Sequence, residues 1–201
     1  MFKRSLFVAL VAAFVLVPSA LAARVHVRVE GKTQTIFGAA EPTLSVKLNA
    51  LDALEAASLA GEFYYHVQVS SFGPYVDQVG RYLAGGSSGW VFKVNGVSPP
   101  VGADSVLLKD GDTVLWYWAT FNGPAGPPTL EVETSLVRGQ RCFFATARND
   151  AGRASRVRSV VFVLNGRRRA SRTGVVCTKA GRYTVRVTKT GAVRSRIYAG
   201  R

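Results

Sequence analysis

The sequence predicts two domains of different fold class, an α+β domain followed by an all-β domain. Residues 23–121 carry strand patterns on both sides of one helix pattern, whereas residues 129–201 carry only short apolar runs separated by turn residues. Between them, residues 122–128 (NGPAGPP) contain too many Gly and Pro residues for a helix or a central strand. We therefore expect a stiff linker that shares little packing with either domain.

The first domain contains one segment with helical periodicity. Asn49 suits an N-cap, Leu51 and Leu54 fall on one helix face, and Gly61 suits a C-cap. Strand patterns precede and follow this segment. The order of hairpin, helix and strands predicts an α+β fold of the β-grasp type for residues 23–121.

Two aromatic strands follow the helix within residues 89–121. The dipeptides Asn95-Gly96 and Asp110-Gly111 predict turns, the first closing a hairpin and the second opening the last strand. In that strand, residues 114–118 (VLWYW) place Val and two Trp on one face and Leu and Tyr on the other. Because both faces are apolar, we expect this strand to lie at the centre of a sheet.

Four segments of the first domain occur in the order LDAL at 51–54, SFG at 71–73, GWVF at 89–92 with Asn95-Gly96, and LKDGDTV at 108–114. Together they resemble the transcobalamin-like C-terminal domain, a β-grasp module of cobalamin carriers that also occurs in bacterial secreted proteins. In the carriers, a Trp-Gly turn and an aromatic hairpin press on the ligand, and Phe72-Gly73 and Gly89-Trp90 match these positions. The resemblance implies a corrinoid (cobalamin) as an alternative ligand. A partner would have to complete the site, because Phe72 replaces the family's Trp and the carriers' α/α-barrel is missing.

We expect ligand or protein contacts of the first domain at an edge formed by Phe72, Gly73 and Trp90. Gly73 lets another surface approach the backbone, and the two aromatic residues lie beside turns, where a small domain cannot easily bury them. The alternative for Trp90 is a strand aromatic that covers the sheet. The rim of the expected edge comprises Val101, Gly102, Ala103 and Asp104.

Residues 1–22 predict a secretory signal peptide. Lys3 and Arg4 precede an apolar core at residues 6–17, and small residues follow up to Ala22. The apolar core is shorter than the ~20 residues that a spanning helix needs, although an uncleaved anchor is the alternative. We therefore expect a protein that is secreted, extracellular or held in the cell envelope, with no membrane span after cleavage.

Short apolar runs with intervening turns and no helical stretch predict an immunoglobulin-like β-sandwich for residues 129–201. Cys142 and Cys177 fall in two different runs, and in an exported protein a disulfide between them is the expected state. The alternatives are buried free thiols or a metal site. The runs are residues 130–132, 142–147, 160–164, 175–177, 183–187 and 193–198.

Charge is divided unevenly along the chain. Residues 23–127 contain 7 Lys and Arg against 9 Asp and Glu, which gives 7 − 9 = −2. Residues 128–201 contain 17 against 3, which gives 17 − 3 = +14. The boundary between the predicted domains therefore separates a weakly acidic segment from a strongly basic one.

Five arginines of the basic domain are candidates for contact with a polyanion. Arg167, Arg168 and Arg169 are expected in a loop, and Arg182 and Arg186 are expected to project outward from a strand. Outside the cell, such a face would meet teichoic acid, lipopolysaccharide, acidic polysaccharide or extracellular DNA, with no specific nucleic-acid recognition. The alternative is an ordinary solvated surface.

The sequence offers no catalytic motif. GxSxG, HExxH, P-loop and dinucleotide fingerprints do not occur, and Asp110-Gly111-Asp112 is explained by a turn. His26 is expected to be a solvated strand residue and His66 a packed or surface residue. We expect no enzyme, no cofactor and no metal. The predicted function is a non-catalytic secreted or cell-surface binding module, whose basic domain is a spacer or a polyanion contact.

Overall fold

The computed structural model describes residues 22–71 and 73–201. The predicted signal peptide lies outside the described residues except for Ala22, and Phe72 lies outside them as well. We call residues 22–121 the first half and residues 129–201 the second half. None of the helices among the described residues is long and apolar enough to cross a membrane.

Strands dominate the described part of the chain, which has one α-helix, α1 (Ala50–Gly61), and one turn of 3-10 helix at Ala103–Ser105. The strands are β1 (Ala23–Glu30), β2 (Thr35–Phe37), β3 (Thr43–Val46), β4 (Tyr65–Ser70), β5 (Gly73–Val79), β6 (Tyr82–Leu83), β7 (Ser88–Val94), β8 (Thr113–Thr120), β9 (Thr129–Val137), β10 (Gln140–Arg148), β11 (Ala154–Arg156), β12 (Val160–Leu164), β13 (Arg167–Ser171), β14 (Val175–Lys179), β15 (Tyr183–Thr188) and β16 (Tyr198–Gly200).

The predicted fold class, an α+β β-grasp domain before an immunoglobulin-like sandwich, is wrong for the first half. The chain is mostly β, and the strands of the first half are divided between two separate sheets. Strands β4, β5 and β6, which follow α1, form their own three-stranded sheet, so only β7 and β8 of the later strands join β1, β2 and β3 in the larger sheet. The sequence order of hairpin, helix and strands does not determine which strands pair.

The larger sheet of the first half has the strand order β2-β1-β8-β7, and β3 also pairs with β1. Strand β8 runs parallel to β1 and antiparallel to β7, so it lies inside the sheet as predicted. Helix α1 packs on one face, where Val25, Val27, Leu54 and Trp116 are buried. This layer is the main apolar core of the first half.

Helix α1 begins at the predicted N-cap. The Asn49 side-chain oxygen accepts hydrogen bonds of 3.0 Å from the backbone nitrogens of Leu51 and Asp52, and the Asp52 carboxylate accepts one of 3.1 Å from the Asn49 nitrogen. This is a complete capping box. At the other end, Gly61 is the last helical residue and Glu62, in the left-handed region with φ 50°, is the C-cap. The C-cap therefore lies one residue beyond the predicted position.

Strand β8 is buried on both faces, as its sequence indicates. Trp116 faces α1, and its indole nitrogen donates a hydrogen bond of 3.0 Å to the Ala50 carbonyl oxygen. Leu115 and Tyr117 face the opposite way and pack against Val193 of the second half. The second half therefore covers the face of the sheet that the helix leaves open.

The second half is an all-β sandwich of two four-stranded antiparallel sheets. One sheet has the order β11-β10-β14, with β9 also paired to β10, and the other has the order β13-β12-β15-β16. Phe143 from the first sheet and Phe162 from the second are fully buried in one shared apolar cluster. Most strands coincide with the predicted runs, but β13 lies where the sequence predicted a loop.

The predicted disulfide between Cys142 and Cys177 is present. The two residues are direct partners on the adjacent strands β10 and β14. The bond therefore joins neighbouring strands of one sheet rather than the two layers of the sandwich.

Candidate functional site

The expected ligand edge of the first half is only partly accessible. Trp90 is 2% exposed, its indole nitrogen donates a hydrogen bond of 2.9 Å to the Tyr82 carbonyl oxygen, and its ring meets that of Trp118 edge-on. Trp90 is therefore a core residue and not a surface anchor. Gly73 begins β5 with φ 101°, and a Cβ placed there would meet no heavy atom within 4 Å, so its surroundings are open.

The expected rim of that edge is divided between surface and core. Val101 is 51% exposed, and Gly102 and Asp104 are also exposed. Ala103 is buried among the apolar residues beneath α1. Three of the four rim residues are thus accessible to a partner.

Four of the five candidate arginines are exposed to solvent. Arg167, Arg168 and Arg169 lie side by side on β13, an edge strand paired only with β12 in its sheet, and Arg182 lies in the turn before β15. An edge strand of arginines is protected from pairing with another chain, because the charges repel a further strand. The same exposure makes these side chains available to an anionic partner.

The fifth arginine does not project outward, which corrects the prediction for Arg186. Its guanidinium contacts the Glu30 carboxylate, and its Nε donates a hydrogen bond of 2.7 Å to the Ser195 carbonyl oxygen. The side chain is only 16% exposed. Desolvation by burial lowers the pKa of Arg186, while the charge of Glu30 acts in the opposite direction. Arg186 thus belongs to the contact between the halves.

Glu30, at the end of β1, lies at the centre of that contact. Its carboxylate is bound by three guanidinium groups, with Arg28 at 3.0 Å and Arg194 at 2.6 Å in addition to Arg186. Thr35 also donates to it. Arg186 and Arg194 come from the second half, so a carboxylate of one half is neutralised by cations of the other. We call these residues the Glu30 cluster.

Lys93 makes a second contact between the two halves, on the same face of the larger sheet as Glu30. Its side chain is fully buried, and its Nζ donates a hydrogen bond of 3.0 Å to the Asn149 carbonyl oxygen and lies 3.4 Å from the Asp150 carboxylate. Desolvation lowers the pKa of Lys93, and the charge of Asp150 opposes this. Asp150 also accepts a hydrogen bond of 2.8 Å from the backbone of Gly126, which ties the linker to the junction.

These contacts contradict the expectation that the two halves share little packing. Strict alternation in residues 24–30 puts Arg28 on the face opposite Val25, Val27 and Val29, but it does not identify the partners of Arg28. A usable signal was present in β8, because the face that carries Leu115 and Tyr117 is apolar and has to be covered. The register of β1 and β8 places Arg28 beside Leu115 and Glu30 beside Tyr117, so the same cover buries the charges.

The two histidines have partners that their sequence neighbours do not reveal. The Nδ1 atom of His66 lies 2.7 Å from an Asp77 carboxylate oxygen, and that of His26 lies 3.1 Å from the Glu41 carbonyl oxygen. His26 is half-buried and not a freely solvated residue. Across residues 22–71 and 73–201, no group of three or more His, Cys, Asp or Glu side chains is placed to hold a metal ion.

Residues 48–120 match the model of a family described as a domain of unknown function, DUF4430, which is associated with transcobalamin-like proteins. The match begins just before α1 and ends with β8. It excludes β1, and therefore Glu30, as well as the entire second half. No curated protein matches the chain.

Proposed function

We propose that the protein is a non-catalytic binding module of the cell exterior or envelope, whose second half contacts anionic polymers. The disulfide supports an oxidising compartment, since such bonds persist mainly in exported proteins. The charge of +14 in residues 128–201 supports an anionic partner.

The observation that carries the polyanion proposal is the position of the excess charge. Glu131, Glu133 and Asp150 are the acidic residues of the second half, and each is paired with a cation: Arg148, Arg156 and Lys93, respectively. Within the described residues, the arginines of β13 and Arg182 form no ion pair with a carboxylate. Their charge is therefore free to displace the counterions of a polymer.

The test is a triple variant of the mature chain, Arg167→Gln, Arg168→Gln and Arg169→Gln, bound to heparin and to teichoic acid. Each lost contact should reduce the magnitude of the slope of log affinity against log salt by about 1. The slope of the triple variant should therefore be shallower by about 3. The measurement is affinity at several salt concentrations.

The matched control neutralises three exposed cations of the first half, Arg24→Gln, Lys47→Gln and Lys109→Gln. Both triple variants change the net charge equally. If both variants lose affinity equally, or if the affinity does not change with salt concentration, the β13 arginines are ordinary solvated surface.

We also propose that the first half is the ligand- or protein-interaction domain. The association of the family matched by residues 48–120 with transcobalamin-like proteins supports this role. The accessible candidate contacts are Gly73, Val101, Gly102 and Asp104. The proposed alternative ligand is a corrinoid, which would need a partner to enclose it, because an isolated half-site leaves most of a large ligand in water.

Titration of the mature chain with cobinamide, followed by corrinoid absorbance, tests that alternative. We expect at most weak binding without a partner, reduced by Val101→Asp, a change at an exposed position that should leave the fold intact. An unchanged spectrum at millimolar protein excludes a corrinoid half-site on this chain.

A further inference from the structure

A cleft of about 450 Å³ lies where the linker passes between the two halves. Its walls come from the start of the β1–β2 turn, the end of β8, the linker and the segment that precedes β16. Ligand pockets often occur at such junctions and commonly enclose ~300–1,000 Å³. This cleft is separate from the arginines of β13 and from Gly73, none of which lines it.

The cleft has an apolar wall. The lining includes Trp118, Pro124, Pro127 and Val193, and the Trp118 ring meets that of Trp90 edge-on. Trp118 is half-buried, but its indole nitrogen is fully buried, so the N–H is not open to a ligand in the cleft. An aromatic ring beside two proline rings favours a flat apolar group in the cleft.

The electrostatic environment of the cleft favours an anion. Glu30 lies in the wall, but Arg28, Arg186, Arg194 and Arg196 share only two carboxylates, those of Glu30 and Glu41, so the balance is positive, 4 − 2 = +2. Lys32 lines the cleft, is exposed, and has no carboxylate partner among the described residues. Arg194, by contrast, is already engaged by Glu30 and by the Gly31 carbonyl oxygen. Lys32 is therefore the cation left for a ligand.

We propose that this cleft binds a small organic anion with a flat apolar body. The body packs against Trp118 and the linker prolines, and the carboxylate lies near Lys32. The polar cleft on the other side of the junction is less suited to this role, because each of its Lys and Arg side chains is already paired with a carboxylate. These cations are Arg28, Lys93, Arg148 and Arg196, and their partners are Glu41, Asp150 and Glu131.

The probe is 1-naphthoate, with 1-naphthamide as its neutral counterpart, titrated into ¹⁵N-labelled residues 23–201. A ligand of this size in a shallow cleft should bind with a Kd on the order of 1 mM or tighter. The Trp118 indole N–H signal, identified by its loss in Trp118→Phe, should shift on addition of naphthoate. The Trp116 signal, held by Ala50, should stay in place and serves as the internal control.

Charge specificity is tested with Lys32→Gln and the matched surface variant Lys47→Gln. Lys32→Gln should weaken naphthoate binding roughly fivefold, as for one exposed ion pair, and leave naphthamide binding unchanged. Lys47→Gln should change neither. The Arg167, Arg168 and Arg169 triple variant should bind naphthoate normally, which separates this site from the polyanion contact.

The proposal is overturned by any of three results. The first is a Trp118 signal that does not move at about 10 mM naphthoate, ten times the expected Kd. The second is equal affinity for naphthoate and naphthamide. The third is an equal effect of Lys32→Gln and Lys47→Gln.

Discussion

Replacing Glu30 with alanine is expected to lower the free energy of unfolding by about 3–5 kcal/mol, the usual loss when a buried ion pair is deprived of one partner. The Glu30 side chain is 1% exposed and contacts Arg28, Arg186 and Arg194. Its removal leaves Arg186 and Arg194 without their carboxylate partner, while Arg28 keeps Glu41. Urea unfolding followed by circular dichroism measures the change.

Glu133→Ala is the matched control for this variant. Glu133 pairs with Arg156, but the two side chains are 56% and 59% exposed, and surface pairs contribute only about 0–1 kcal/mol. Glu30→Gln keeps the side-chain shape and one acceptor. Its decrease in the free energy of unfolding should therefore lie between those of Glu30→Ala and Glu133→Ala. If Glu30→Ala costs no more than Glu133→Ala, the cluster contributes no more than a surface pair.

Local features of this fold were predictable because their causes lie within a few residues. The capping box at Asn49 needs only Asp52, three positions along the chain. Asn95 and Gly96 both adopt positive φ, 51° and 80°, and close the predicted tight turn. The two apolar faces of residues 114–118 correctly indicated an inner strand, because that pattern is imposed by strand geometry alone.

The arrangement of sheets was not predictable in the same way. Whether β4 pairs with β5 alone or joins the larger sheet depends on contacts that alternation cannot encode. Strand β13 was missed because its sequence, RRRAS, has no large apolar residue, and its pairing comes from the Asn165-Gly166 turn and the neighbouring β12. Propensity was overridden here by the partner strand.

The positions of the site residues also depend on contacts between segments that are far apart in the chain. Arg186 and Glu30 are 156 positions apart in the chain. Alternation predicted that Arg186 projects away from the core of the second half, but it could not predict that the first half covers that side of the sheet. Trp90 lies beside a turn, which suggested exposure, but the Tyr82 carbonyl oxygen and the Trp118 ring give it a buried place. Alternation identifies which side chains share a face; it does not say whether that face meets water.

Removing the disulfide with Cys142→Ser and Cys177→Ser is expected to lower the free energy of unfolding by about 4 kcal/mol. The bond closes a loop with a sequence separation of 35 residues, and the chain-entropy estimate for such a loop is about 4 kcal/mol. Because Glu30, Lys93 and Val193 hold the halves together, the loss should affect the whole chain and not the second half alone.

The positions of the tryptophans make that coupling measurable. The chain has three Trp residues, Trp90, Trp116 and Trp118, and all lie in the first half, whereas both cysteines lie in the second. In the double serine variant, the urea midpoint measured by Trp fluorescence, which reports the first half, should therefore fall. Hydrogen-exchange protection in β10 and β12, which reports the second half, should fall with it. In a Glu30→Ala background the two probes should separate, since the main ionic contact between the halves is gone. An unchanged fluorescence midpoint in the double serine variant, with protection lost only in the second half, would mean that the halves unfold independently despite their buried contacts.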